Sequence, residues 1–146
     1  MSDNQQVPQF DPANFSIESY VKRIEKPWGY ELHWVREDAP YMGKIIHVNE
    51  GGSLSLQVHD QKEESYLMMS GRAKLIWENN KGQMVETEMQ PGMGYATRVG
   101  QKHRIVAITD CDVVEASTPE KGTTWRLWDM YARPHETPEQ RTAERA

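Results

Sequence analysis

Gly51 to Gly71 reads GGSLSLQVHDQKEESYLMMSG, the most strongly patterned stretch of the chain. It opens on a glycine pair, enters an alternating segment, gathers a His, a Gln and a Glu within a few residues, and closes on another glycine. From Ser53 to His59 the alternation is strict. Leu54, Leu56 and Val58 point one way, Ser55, Gln57 and His59 the other, and the polar row continues in phase to Gln61. Such alternation specifies a strand with two unlike faces, and the aliphatic face needs a second layer to pack against. The polar row is then either a solvent face or the lining of a polar barrel interior. A second stretch favours the interior. Pro91-Gly92 begins a turn, residues 94–98 read as a short strand, Val99-Gly100-Gln101 turns again, and His103-Arg104-Ile105-Val106 resumes a strand. Two glycine-punctuated hairpins, each delivering a histidine at a strand start, suit a metal site, because imidazole and carboxylate are the usual ligands of divalent transition metals. The two stretches are expected to face each other across a small β-barrel and to build one site.

Outward from this stretch the pattern stays short-stranded. Residues 43–49 form a strand with Lys44, Ile46 and Val48 on one face and Ile45 and His47 on the other; His47 reads as a structural histidine. Residues 72–78 place Ala73, Leu75 and Trp77 on one face, Asn79-Asn80-Lys81-Gly82 is a hairpin turn, and residues 83–89 return. Residues 30–35 form a strand after Lys26-Pro27-Trp28-Gly29, and residues 113–117 are expected to be the last strand of the barrel. About eight to ten short strands with almost no helix specify an all-β barrel or double-sheet jelly roll. Residues 1–20 are polar, contain proline and lack periodicity, so they read as an arm whose Phe10, Phe15 and Tyr20 are available to dock on the barrel or on a second subunit. Edge strands need cover, and an arm that covers them across a twofold predicts a homodimer. Residues 21–133 make a single domain, and 134–146 a polar tail that frays or forms a short helix.

The bulk properties narrow the function. A chain of 146 residues is one domain by size. A net charge of −5 with no long basic run argues against a general nucleic-acid binder. The single cysteine, Cys111, excludes an internal disulfide and reads as a small buried apolar group. No apolar run has the length of a membrane span or a signal segment, so no membrane partner and a cytoplasmic location are expected.

Gly51-(x7)-His59-x-Gln61-(x2)-Glu64-(x6)-Gly71, followed by Pro91-Gly92-(x10)-His103, resembles the two-part motif of the cupin superfamily. Lys26-Pro27-Trp28-Gly29-Tyr30-Glu31, Ser53-Leu54-Ser55-Leu56-Gln57, Ser70-Gly71-Arg72-Ala73, Gly100-Gln101-Lys102-His103-Arg104 and the run Arg126-Leu127-x-Asp129-x-Tyr131-x-Arg133 resemble the cupin domain of type II mannose-6-phosphate isomerases. The resemblance implies a cupin double-stranded β-helix, or jelly-roll barrel, with an N-terminal arm. It implies a divalent metal (Mn, Fe, Zn, Co or Ni) held by His59, Gln61, Glu64 and His103. It implies a small anionic substrate such as a sugar phosphate, isomerised through an enediolate. Lys44 and Lys102 are then the candidates for proton transfer, and Lys26, Trp28, Gln57, Arg126 and Arg133 the candidates for substrate binding.

The chain departs from that family at informative places. His59-Asp60-Gln61 stands where the family has a His-rich run, Ser65-Tyr66 where it has His-Trp, Arg98 where it has Pro, and Ala107 where it often has Asn. The first motif therefore keeps one histidine. Two alternatives stay open: a metal-dependent cupin dioxygenase, lyase or decarboxylase acting on a small carboxylic acid, since two His and a carboxylate also resemble the facial triad of non-haem iron enzymes, and a non-catalytic cupin that binds a small anion without metal.

Overall fold

The computed structural model describes residues 5–146, so the first four residues of the arm lie outside the described residues. In chain order the strands are β1 (Lys22–Lys26), β2 (Gly29–His33), β3 (Met42–Val48), β4 (Leu56–His59), β5 (Glu64–Ser70) and β6 (Ala73–Glu78). They continue with β7 (Met84–Glu88), β8 (Gly94–Thr97), β9 (His103–Ala107), β10 (Cys111–Ser117) and β11 (Thr124–Trp128), and α1 (Pro138–Glu144) ends the chain. One sheet has the order β1-β2-β3-β10-β5-β8 and the other β11-β4-β9-β6-β7. Two antiparallel sheets facing each other make the jelly roll of the cupin fold.

The register shows how the sequence divides the interior. Cys111 pairs with Val48, Val113 with Ile46 and Glu115 with Lys44; on the other flank of β10, Val113 pairs with Met68, Glu115 with Tyr66 and Ser117 with Glu64. Paired residues share a face, so the inward rows change character along the strands. Val48, Val113, Met68 and Ile105 are fully buried and form an apolar floor, whereas Lys44, Glu115, Glu64 and His103, farther along the same rows, are buried polar groups. Trp28 closes onto the same core. The barrel therefore has an oily end and a charged end, and the charged end lies under α1.

The expected strand bounds are corrected here, whereas the interior polar row, the structural His47 and the buried Cys111 agree with expectation. The strand expected from Ser53 begins only at Leu56; Ser53 makes an isolated bridge to Val106, and Leu54 and Ser55 are both buried. The polar row of that strand faces the interior, not solvent: His59 is buried and Gln57 lines the internal hollow. Residues 113–117 are not the last strand, because Thr124–Trp128 adds β11 to the edge of the second sheet beside β4. β1 also lies at a sheet edge where no strand was expected. Residues 5–19 of the arm are exposed, with a single turn at Pro12–Asn14 capped by Asp11. His47 stacks on Tyr30 at 4.7 Å and bonds Asp112 at 2.7 Å on the outer face. Cys111 is buried, and burial pushes its thiol up to about 11.

Residues 134–146 fold back over the charged end. Thr137 caps α1 by accepting a hydrogen bond from the Gln140 amide at 3.1 Å, with Pro138 in the first turn. Thr124 and Glu136 form a bridge that adds the segment to the edge of β11. Arg126 donates to the Pro134 carbonyl at 2.9 Å, to Glu144 at 2.8 and 3.0 Å and to Glu136 at 3.1 Å. Burial would raise the Glu144 carboxyl, but Arg126 outweighs it and holds it at about 2.

Two measurements follow from the backbone and the C-terminal clamp. Gly71 has φ of 77°, and a Cβ there would meet the Asp110 carbonyl oxygen at 2.1 Å, whereas Gly92 has φ of 74° with open space around it. Chemical denaturation of Gly92→Ala is expected to show a loss of about 1 kcal/mol for the left-handed backbone alone. Gly71→Ala is expected to lose more than about 2 kcal/mol, because steric strain is added. Glu144 has a folded-state pKa below its ordinary 4.5, so its contribution is fully present above pH 4.5 and is lost as pH falls toward about 2. Acid titration of stability should be shallower across that window in Glu144→Gln than in the parent protein.

Candidate metal centre

Three donors converge where the two sheets come closest at the charged end. His59 ends β4, His103 begins β9, and Glu64 begins β5 of the facing sheet. The ligand atoms of these three buried residues all lie within 4.8 Å of one another. His59 Nε2 is 3.0 Å and His103 Nε2 2.6 Å from the same Glu64 oxygen, Oε1. The two stretches singled out by the sequence build one cluster, side by side through β4 and β9 and across the barrel through Glu64 on β5. His59 and His103 lie on adjacent strands of one sheet, linked by the Gln57–His103 pair, and only Glu64 reaches across.

The outer nitrogens of the imidazoles fix their roles. His103 Nδ1 lies 2.8 Å from the Gln101 carbonyl, an acceptor, so Nδ1 carries a proton and donates. A neutral ring then turns the Nε2 lone pair toward a carboxylate oxygen, and a contact of that kind requires a positive charge between them, a proton or a metal ion. A carbonyl behind a ligating histidine is also the usual means of orienting it. His59 Nδ1 is held by the Thr124 hydroxyl at 2.9 Å. Burial pulls the His59 imidazole below its ordinary value, which keeps it neutral and able to ligate, against the opposing pull of Glu64. Glu64 Oε2 is buried with no hydrogen-bond donor aimed at it among the described residues. Two neutral-capable imidazoles and a carboxylate fit a divalent transition metal.

Lys62 supplies the charge that the cluster otherwise lacks. Its ammonium lies 3.1 Å from Glu64 Oε2, 3.1 Å from Glu115 Oε2 and 3.6 Å from Glu120. The first two are charge contacts and not directed hydrogen bonds, since neither Oε2 has an aligned donor. Burial penalises the Glu64 carboxylate, yet Lys62 and the bonds from His103 and His59 outweigh it and hold the carboxyl well below its usual range. Burial raises the Glu115 carboxyl to about 7, with Lys62 opposing and Glu64 adding to the rise. The Tyr66 hydroxyl donates to Glu64 Oε1 as well.

The remaining candidates divide clearly. Lys44 is buried, bonded to Glu120 and 3.5 Å from Glu31. Lys26, Trp28, Gln57, Arg126 and Arg133 all line the same hollow as His59 and Glu64. Lys26 approaches Glu136 at 4.0 Å, and Arg133 is engaged by Asp129 through two bonds of 2.9 and 3.0 Å. Two candidates fall outside. Lys102 is exposed and its backbone amide bonds Glu78 at 3.3 Å. Gln61 is exposed, because β4 ends at His59 and the turn through Asp60 breaks the alternation. Asp60 itself points outward to the edge strand, accepting from the Thr123 amide at 2.9 Å and the Trp125 indole at 3.3 Å. Counting forward from His59 selects Gln61, whereas counting back from Glu64, in the phase of β5, selects Lys62. That backward count was the available signal for Lys62. Glu115 and Glu120 carried no motif that would have marked them.

Comparison with known proteins agrees with this architecture. Residues 14–109 match the family described as mannose-6-phosphate isomerase C-terminal. No curated protein matches the sequence. Among solved structures, the capsular polysaccharide assembling protein CapF from Staphylococcus aureus aligns with a TM-score of 0.59 at 15% identity, over 80% of this chain and 33% of that one. KdgF from Halomonas sp. aligns with a TM-score of 0.58 at 14% identity, over 68% of this chain and 89% of that one. A cupin-superfamily sugar phosphate isomerase from Silicibacter pomeroyi aligns with a TM-score of 0.51 at 17% identity, over 64% of this chain and 62% of that one. The chain spans about a third of the length of the CapF chains it matches. At these identities the structural likeness establishes the fold, and the sequence match establishes the lineage: the chain belongs to the mannose-6-phosphate isomerase C-terminal family, on the cupin fold.

Proposed function

We propose that the charged end of the barrel is a divalent-metal site that acts on a small anionic sugar derivative, and that its reaction is an aldose–ketose isomerisation of a sugar phosphate through an enediolate. The observation that carries the reading is the convergence of His59, Glu64 and His103 on one point, with the His103 tautomer set by the Gln101 carbonyl. Those three residues would hold the metal, and Gln57, inward on the strand of His59, is the neighbouring amide that takes the interior place given to Gln61. A bound divalent metal supplies a Lewis acid that polarises a carbonyl and its adjacent hydroxyl. The chain supplies the rest. Moving a proton between adjacent carbons needs an acid–base group beside them, and Lys44 and Glu115, register partners on β3 and β10, are the interior groups of that kind. Lys26 and Arg126 offer cations for a phosphate, Trp28 a flat wall and an indole donor with no acceptor of its own. The sugar phosphate isomerase from Silicibacter pomeroyi shares the fold and supports the substrate class.

A second reading has an observation of its own. Two histidines and one carboxylate, without a third imidazole, also fit iron-dependent oxygen chemistry or lyase chemistry on a small carboxylic acid.

Elemental analysis of the purified protein is expected to find near-stoichiometric Mn, Fe, Zn, Co or Ni, with binding at least about tenfold weaker in His59→Ala and His103→Ala. A protein that stays metal-free after reconstitution with each of these ions removes both readings. Conversion of mannose 6-phosphate and related sugar phosphates by the metal-loaded protein, lost in Glu64→Gln, separates the first reading from the second; turnover of small carboxylic acids alone selects the second. In metal-free protein, Lys62→Met leaves Glu64 and Glu115 without their counter-charge and is expected to cost about 3–5 kcal/mol in denaturant unfolding. Added divalent metal should recover part of that loss, because it replaces the missing cation at Glu64.

A further inference from the structure

The hollow lined by His59, Gln57 and Trp28 has a volume of only about 50 Å³. That is room for a few waters, whereas pockets that bury a whole ligand run to about 300–1,000 Å³. A second hollow, of about 520 Å³, lies beside it, bordered by Tyr41, Pro119, Lys121 and the outer residues of the C-terminal segment. Glu120 and Arg145 line both hollows. Arg145 Nη1 and Glu120 Oε2 form an ion pair at 2.5 Å, and this pair stands on the border that the two spaces share.

The segment that carries Arg145 is attached in an unusual way. None of the residues of α1 is buried. Its side-chain attachments are ionic or polar: Arg145 to Glu120, Arg141 to Glu136 at 3.0 Å and to the Gly122 carbonyl at 3.1 Å, and Glu144 to Arg126. Seven residues are too few for a helix to persist alone in water. A segment with no apolar anchor opens at lower cost than the strands beneath it. Two buried donors at this place lack acceptors, Trp28 Nε1 in the interior lining and Arg145 Nε in the border pair itself. An oxygen-rich anion arriving from the larger hollow supplies what they lack.

We infer that residues 138–146 are a removable cover over the barrel mouth, hinged where the Thr124–Glu136 bridge ties the chain to β11. Withdrawal of Arg145 from Glu120 joins the two hollows into one chamber of ligand size, and the freed guanidinium pairs with the phosphate or carboxylate of the incoming ligand. The inference rests on the barrel interior being where the ligand acts, as proposed above, but its test uses neither metal nor substrate.

Full-length metal-free protein is treated with diethyl pyrocarbonate, and the labelling rate of each histidine is read by mass spectrometry. His47, partly exposed on the outer face away from this segment, reports reagent activity, His59 is 5% exposed and reports the opened mouth, and reaction of the buried Cys111 with a maleimide reports global unfolding. Arg145→Ala and Glu144→Gln are each expected to raise the His59 rate by about tenfold relative to His47, with Cys111 still protected. A His59 rate that neither variant changes overturns the inference, and so does a rate that rises only in step with Cys111. If the cover opens but no metal binds, the functional reading fails and the cover stands; if metal binds but the cover does not open, the reverse holds.

Discussion

The charged end of this barrel depends on one buried ammonium. Lys62 lies between Glu64 and Glu115, carboxylates brought together from two adjacent strands of the same sheet. An unpaired buried carboxylate costs several kcal/mol, and two side by side cost more. With Lys62 between them the charge settles on Glu64, whose carboxyl is held well down, while burial leaves Glu115 near 7. A charged Glu64 is what both imidazoles point at. The histidine geometry and the suitability for a metal both descend from that arrangement.

The fold makes such a concentration of charge affordable by separating it from the apolar floor. Along β3, β5, β9 and β10 the deeper inward positions are aliphatic, aromatic or sulfur-bearing, and the positions nearer the mouth are Lys44, Glu64, His103 and Glu115. Fully buried groups such as Val113 and Met68 contribute on the order of 1.5–3 kcal/mol each by leaving water. The strands therefore hold their register through one end while the other end carries chemistry. An entirely apolar interior would be more stable and would have nothing to do.

The sequence made the fold largely legible, since alternation and glycine turns mark most of the strands directly. It failed where the physical signal was not alternation. β1 is a run of charged residues, Lys22-Arg23-Ile24-Glu25-Lys26, whose single inward aliphatic, Ile24, is too little to announce a strand. β11 reads as an aromatic-rich tail because its outward face keeps Trp125 and Leu127 half exposed. In the site, His59, Glu64 and His103 were legible from spacing, whereas Lys62 was hidden by a change of phase in the turn at Asp60. The C-terminal segment looked like a polar end because its contacts are charges, which have no periodicity to read.

That change of phase sets a rule for how this architecture tolerates insertion. His59 is turned inward by the pairing of β4 with β11 and β9, and Glu64 by the independent pairing of β5 with β10 and β8. The residues between them belong to neither ladder. Lengthening or shortening that turn therefore rotates neither ligand, provided Lys62 keeps its inward place against Glu64 and Glu115. The number of residues separating a histidine from its carboxylate partner is a property of the loop, and the geometry of the pair is a property of the two sheets. Ligand spacing along such a chain is thus free to drift while the cluster itself stays fixed in space.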